Sequence, residues 1–111
     1  MLTNKQIRRI LQLYAELLRV HEMEEKWAGA LSSAAYYIRR VKENIITLDR
    51  QEIKKLFKPQ IGQVLIELQA KSTIEALDEL IRISREAQIP AELLRKQPWY
   101  LRRSLATGMS R

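Results

Sequence analysis

Near the start of the chain, Ile7, Ile10, Leu11, Tyr14, Leu17, Leu18 and His21 recur three and four residues apart. Residues so spaced share one face of an α-helix, so the pattern predicts an amphipathic first helix reaching about residue 22. Thr3 followed by Gln6 supplies its start, because the hydroxyl and the side-chain amide can each satisfy a free backbone N–H in a capping box. A second stripe, Trp27, Leu31, Ala34, Ala35 and Ile38, predicts a helix over about 25–41, with Arg39 and Arg40 near its end, where cations suit the helix dipole. Its small residues (Ala28, Gly29, Ala30, Ser32, Ser33, Ala34, Ala35) predict close approach by a neighbour.

Asp49 with Glu52 repeats the capping pattern and opens a short third helix carrying Ile53, Leu56 and Phe57. Lys58-Pro59 then breaks the chain, since proline lacks a donor and pushes its predecessor out of helical angles. Gln60 to Ala70 reads as a fourth helix with Ile61, Val64, Leu65 and Leu68 inward. Ser72 with Glu75 reads as a further capping box, ahead of a fifth helix defined by Ile74, Leu77, Leu80, Ile81 and Ala87 and ending near Gln88. Pro90 can open a sixth short helix through Lys96, which Pro98 ends, and Trp99 to Arg111 has the composition of a partly mobile tail. The expected fold is therefore all-α: a compact bundle of five or six short helices over residues 1–97, followed by a basic tail over 98–111. A chain of 111 residues fits one such domain, and three glycines with three prolines suit helices joined by short turns.

The absence of cysteine excludes a disulfide framework, a thiolate zinc site and a cysteine nucleophile, and fits a reducing, cytoplasmic setting. Apolar runs of only a few residues and a polar start (Thr3, Asn4, Lys5, Arg8, Arg9) predict neither a membrane span nor a secretory signal. The net charge of +7 points to an anionic partner, and its distribution refines the point. Residues 1–92 hold 15 basic and 13 acidic side chains, whereas 93–111 hold Arg95, Lys96, Arg102, Arg103 and Arg111 with no acid. A second excess lies between Arg39 and Lys58, where Arg39, Arg40, Lys42, Arg50, Lys54, Lys55 and Lys58 face Glu43, Asp49 and Glu52. That stretch reads either as a solvated face with local ion pairs such as Glu52 with Lys55, or as a patch that tracks phosphates.

Little else carries chemistry. His21 is the single histidine, and the consecutive placement of Glu24 and Glu25 near Glu22 points these carboxylates in different directions, so it reads as a helix-end or core residue rather than a metal ligand. Ser32 and Ser33 read as packing residues. Trp27, Tyr36 and Tyr37 have the spacing of core aromatics, with stacking on unpaired bases as the other reading. Trp99 and Tyr100 beside Arg102 and Arg103 can anchor the tail on the core, insert into a partner or stack on a base.

Over residues 3–82 the order of pieces resembles the amino-terminal domain of family X DNA polymerases. The likeness is carried by Asn4-Lys5-Gln6-Ile7, His21, Ala34-Ala35-Tyr36, Leu48 to Phe57, Pro59-Gln60-Ile61-Gly62 and Thr73 to Ile81. The resemblance implies a helix-hairpin-helix around Pro59 to Gly62 whose backbone amides, at Ile61, Gly62 and Gln63, approach a DNA phosphate. The family's first hairpin glycine is Gln60 here, which predicts a degenerate hairpin. Its Schiff-base lysine, nine residues past the proline, is Leu68. Its basic residue before the alanine pair is Ser33, and its tyrosine three residues before that pair is Leu31. Lys71 is the nearest lysine that a lyase could use.

The expected function is non-catalytic DNA binding through backbone phosphates, on Arg39, Arg40, Lys54, Lys55, Lys58 and the hairpin amides, without metal or cofactor. Single-stranded or gapped DNA is the substrate class the resemblance implies. The alternative is a protein-interaction module whose tail docks on a partner.

Overall fold

The computed structural model describes residues 2–86, which form five helices and a 3-10 turn. These are α1 Asn4–Val20, α2 Glu25–Ile38, the turn Ile45–Thr47, α3 Arg50–Leu56, α4 Pro59–Lys71 and α5 Glu75–Glu86. Among the described residues there is no strand. The sixth helix expected from Pro90 and the tail with Trp99, Tyr100, Arg102 and Arg103 lie outside the described residues.

Helix α1 is the centre of the core. Its Ile7, Ile10, Leu11 and Leu17 are completely buried, and burial of each such side chain contributes about 1.5–3 kcal/mol. Helix α2 packs back along it, burying Ala28, Leu31, Ala35 and Ile38. Trp27 is only partly buried and meets the Tyr14 ring edge-on at 6.1 Å. A Cβ at Gly29 would meet nothing within 4 Å, so close approach depends on Ala28 and Ala35, not on this glycine.

The capping box at Thr3 forms as the sequence predicts: Thr3 Oγ1 accepts from the Gln6 amide at 3.1 Å, and Gln6 Oε1 accepts from the Thr3 amide at 2.9 Å. The opposite end of α1 is closed differently. The Met23 amide reaches back to the Leu18 carbonyl (2.8 Å) and the Glu22 amide to that of Arg19 (3.0 Å), a Schellman arrangement with Glu22 in the left-handed position at φ 53°. Glycine usually holds that position, because a Cβ there costs about 1–2 kcal/mol. Glu22→Gly is therefore expected to raise stability by about 0.5–1 kcal/mol after the extra freedom of the unfolded chain is subtracted, and Glu22→Val to lower it. Thermal melting of the two variants beside the parent checks the order. His21 caps the same helix, and its Nε2 is hydrogen-bonded to the fully buried Ser84 Oγ at 2.9 Å, tying α1 to α5.

Two boundaries depart from the sequence pattern. Helix α2 ends at Ile38, not near 41, because Arg39, Arg40 and Val41 bond three residues back in tight turns. Ser72 does not open α5 but closes α4, adopting φ 61° while its amide bonds to Leu68 O at 2.8 Å. The first amide of α5, at Glu75, is instead capped by the Glu67 carboxylate on α4 at 2.7 Å. A local capping rule cannot foresee a cap that comes from another helix.

Candidate nucleic-acid interface

The segment between α2 and α3 carries much of the basic excess, and its course is fixed by two side-chain amides. Asn4 Nδ2 donates to the carbonyls of Glu43 (2.7 Å) and Val41 (3.3 Å), while its Oδ1 accepts from the Ile45 amide (2.9 Å). Gln69 Nε2, on α4, donates to the carbonyls of Leu48 (2.7 Å) and Ile45 (2.9 Å). A loop held by its backbone in this way buries Ile45 and Leu48 while its basic side chains stay in solvent. Arg39, Arg40 and Lys42 are all exposed.

Ring contact then joins the end of α2 to the end of α3. Tyr37 meets the buried Phe57 edge-to-face, centroids 5.5 Å apart. Arg39 and Arg40 follow Tyr37 in the chain, just past α2, and Lys58 follows Phe57, with Lys54 and Lys55 in the last turn of α3, so the ring contact joins two basic stretches of the chain. Arg50 opens the same helix. All of these cations are exposed, and none has a carboxylate within ion-pair distance among the described residues. The expected pair of Glu52 with Lys55 is therefore not formed. The Glu52 amide is taken by the Asp49 cap at 2.8 Å, as the pattern at the start of α3 predicts.

Exposed apolar surface accompanies the charge. Tyr36 is 60% exposed with the Arg40 guanidinium 5.5 Å from its ring centroid, its neighbour Tyr37 is 40% exposed, and Leu56, just before Phe57, is 37% exposed. The spacing that suggested core aromatics therefore leaves Tyr36 outside the core, while Trp27 and Tyr14 pack inward at the other end of α2.

The expected hairpin is the junction between α3 and α4, only Phe57 and Lys58 long. Lys58 is the N-cap residue of α4 and its side chain makes no capping bond, while Pro59 at the first position has no N–H to cap. The amides of Gln60 and Ile61 consequently have no acceptor inside the helix. That of Gly62 does, bonding to Lys58 O at 2.8 Å, and Gln63 is one position further into the regular ladder. Of the three hairpin amides the sequence singles out, only that of Ile61 lacks a helical acceptor, and that of the exposed Gln60 lacks one too. Gln60 has ordinary helical angles, so replacing glycine there introduces no strain, and Gly62 too has no positive φ. A Cβ on Gly62 would touch Ile53 Cγ2 at 3.5 Å, an ordinary contact between α3 and α4.

The positions that would serve a lyase lie elsewhere. Leu68 and Leu31 are completely buried in the core, and Ser33 is exposed on α2. Lys71 sits in the last turn of α4, separated from the junction by a helix of 13 residues, about 18 Å of rise. Among the described residues no three His, Cys, Asp or Glu side chains converge to hold a metal ion, and no helix is long and apolar enough to cross a membrane.

No protein-family model, curated protein or solved structure matches this chain.

Proposed function

We propose that this chain is a non-catalytic DNA-binding domain that grips backbone phosphates, with a preference for unpaired strands. The observation that carries the reading is the group of exposed cations (Arg39, Arg40, Lys42, Arg50, Lys54, Lys55, Lys58) without carboxylate partners among the described residues, together with a helix start that no side chain caps. On a solvated face, intermixed acids would neutralise much of this charge through local pairs. Here Asp49 caps α3, and Glu43 and Glu52, though exposed in the same stretch, form no ion pair among the described residues, so the surplus cations remain available to displace counterions from a phosphate chain. The amides of Gln60 and Ile61 add a directional anion site at the positive end of α4.

Tyr36 supplies the preference for single strands. A ring 60% exposed and already facing a guanidinium offers its free surface to an unstacked base, which a duplex does not present. Tyr36→Ala is expected to weaken binding to a single-stranded oligonucleotide by at least about fivefold, the low end of base-stacking contributions of roughly 1–3 kcal/mol, and to leave duplex binding nearly unchanged. Tyr36→Phe should retain the affinity. Fluorescence anisotropy with labelled single-stranded and duplex DNA of equal length, across a salt series, measures both. Affinity independent of salt, or absent at low salt, would overturn the proposal, since phosphate binding must fall steeply as salt rises.

A further inference from the structure

The exposed large hydrophobic side chains among the described residues fall at the two ends of the α1/α2 hairpin and not between them. Val20 and Met23, each 44% exposed, flank the turn from α1 to α2, whereas Tyr36, Tyr37 and Leu56 lie at the far end. Helix α2 has 14 residues, so about 20 Å separates the two groups. Isolated apolar residues on a surface need no explanation, but their confinement to two ends that differ in charge does.

Around the turn, Glu22 and Glu24 are exposed, and Glu25 is bridged to Arg19 at 3.5 Å. With Lys26 beside them, these groups leave a small negative balance. The far end carries the unpaired cations of the candidate interface. The turn end is thus acidic by one charge and the far end basic, and each carries exposed apolar groups.

We propose that they are the two halves of one contact, and that a second copy of this chain docks by its turn end against the basic end of the first. In this contact Val20 and Met23 cover Tyr36, Tyr37 and Leu56, and Glu22 and Glu24 meet Lys54, Lys55 and Lys58. Because the halves differ, the contact does not close on itself, and each added copy presents a new free end. The product is a growing row, not a defined dimer. The net charge of +7 opposes assembly at very low salt, where copies repel over long distances. Near 0.1 M salt the Debye length is about 10 Å, so overall repulsion is screened while groups in contact still attract, and at 1 M, about 3 Å, that attraction is lost too. Association should peak between these limits.

Sedimentation velocity of the full chain without nucleic acid, from about 10 µM to 1 mM, provides the test. Weight-average mass should rise with concentration at about 0.1 M salt and stay at the monomer value at 1 M. The variants Glu22→Lys/Glu24→Lys and Lys54→Glu/Lys55→Glu/Lys58→Glu should each remain monomeric. All five positions are exposed, and circular dichroism confirms that each variant folds. Mixed in equal amounts, the two should associate again, since each restores the charge its partner has lost. A parent chain that stays monomeric throughout overturns the proposal, as does association that either variant retains alone or a mixture that stays monomeric. None of these results depends on whether the basic end also binds DNA.

Discussion

Replacing Lys54, Lys55 and Lys58 together by alanine is expected to weaken binding of single-stranded DNA roughly 100-fold at about 0.1 M salt and to flatten the dependence of log K on log salt by about two units. Both figures follow from counterion release, in which each phosphate neutralised on a single strand contributes about 0.7 to the slope and a similar number of log units of affinity at that salt. The three lysines are exposed and carry no ion pair among the described residues, so their loss should cost the fold little, and the melting temperature serves as the control. A chain ended after Gln97 separates this patch from the basic residues beyond it. Affinity that survives the triple substitution but vanishes on truncation would move the binding site to residues 98–111. Binding lost in the triple variant and kept on truncation supports the patch.

Asn4→Ala is the substitution expected to harm the fold most for its size. Asn4 is part-buried and makes three hydrogen bonds to the segment from Val41 to Ile45, and without it the Ile45 amide, on a residue 1% exposed, loses its acceptor. A buried donor left unpaired costs about 1–3 kcal/mol and each lost bond about 1 kcal/mol more, so a total near 3 kcal/mol is expected. For a domain of this size that is a fall of roughly 10–20 °C in melting temperature. Helix propensity is not the cause, since alanine is the better helix former. Asn4→Asp should recover part of the loss, because its carboxylate still accepts from Ile45 but cannot donate to the two carbonyls. If Asn4→Ala melts within a degree or two of the parent, the loop is held by other contacts and Asn4 does not set its course. The same variant should also weaken DNA binding, since the loop it holds displays Arg39, Arg40 and Lys42.

The lysines and Asn4 differ in how far the sequence reveals them. The lysines announce themselves as a local charge excess. Asn4, read along the chain, is only the first residue of a capped helix, and its partners lie 37 to 41 positions away. Gln69 is likewise one polar position on an amphipathic helix until the fold brings Ile45 and Leu48 to it. The open amides at the start of α4 are an intermediate case. Proline after lysine marks a helix start without a capping side chain, but only the backbone geometry shows that Gly62 is already bonded and Gln60 is not.

Periodicity and capping residues determined the number and order of the described helices, the start of α1 at Thr3, the start of α3 at Asp49 and most of the buried face, because each rests on interactions within four residues of the chain. The tertiary structure decided what depends on distant groups. It stopped α2 at Ile38 by drawing the following loop to Asn4, turned Ser72 into the end of one helix and capped the next from Glu67, and left Tyr36 in solvent against Arg40. It also joined the chain beside Arg39 and Arg40 to the chain beside Lys58 through the Tyr37–Phe57 contact. A one-dimensional pattern records which side chains are apolar or charged, but which of them meet is set by the packing of helices against a shared core.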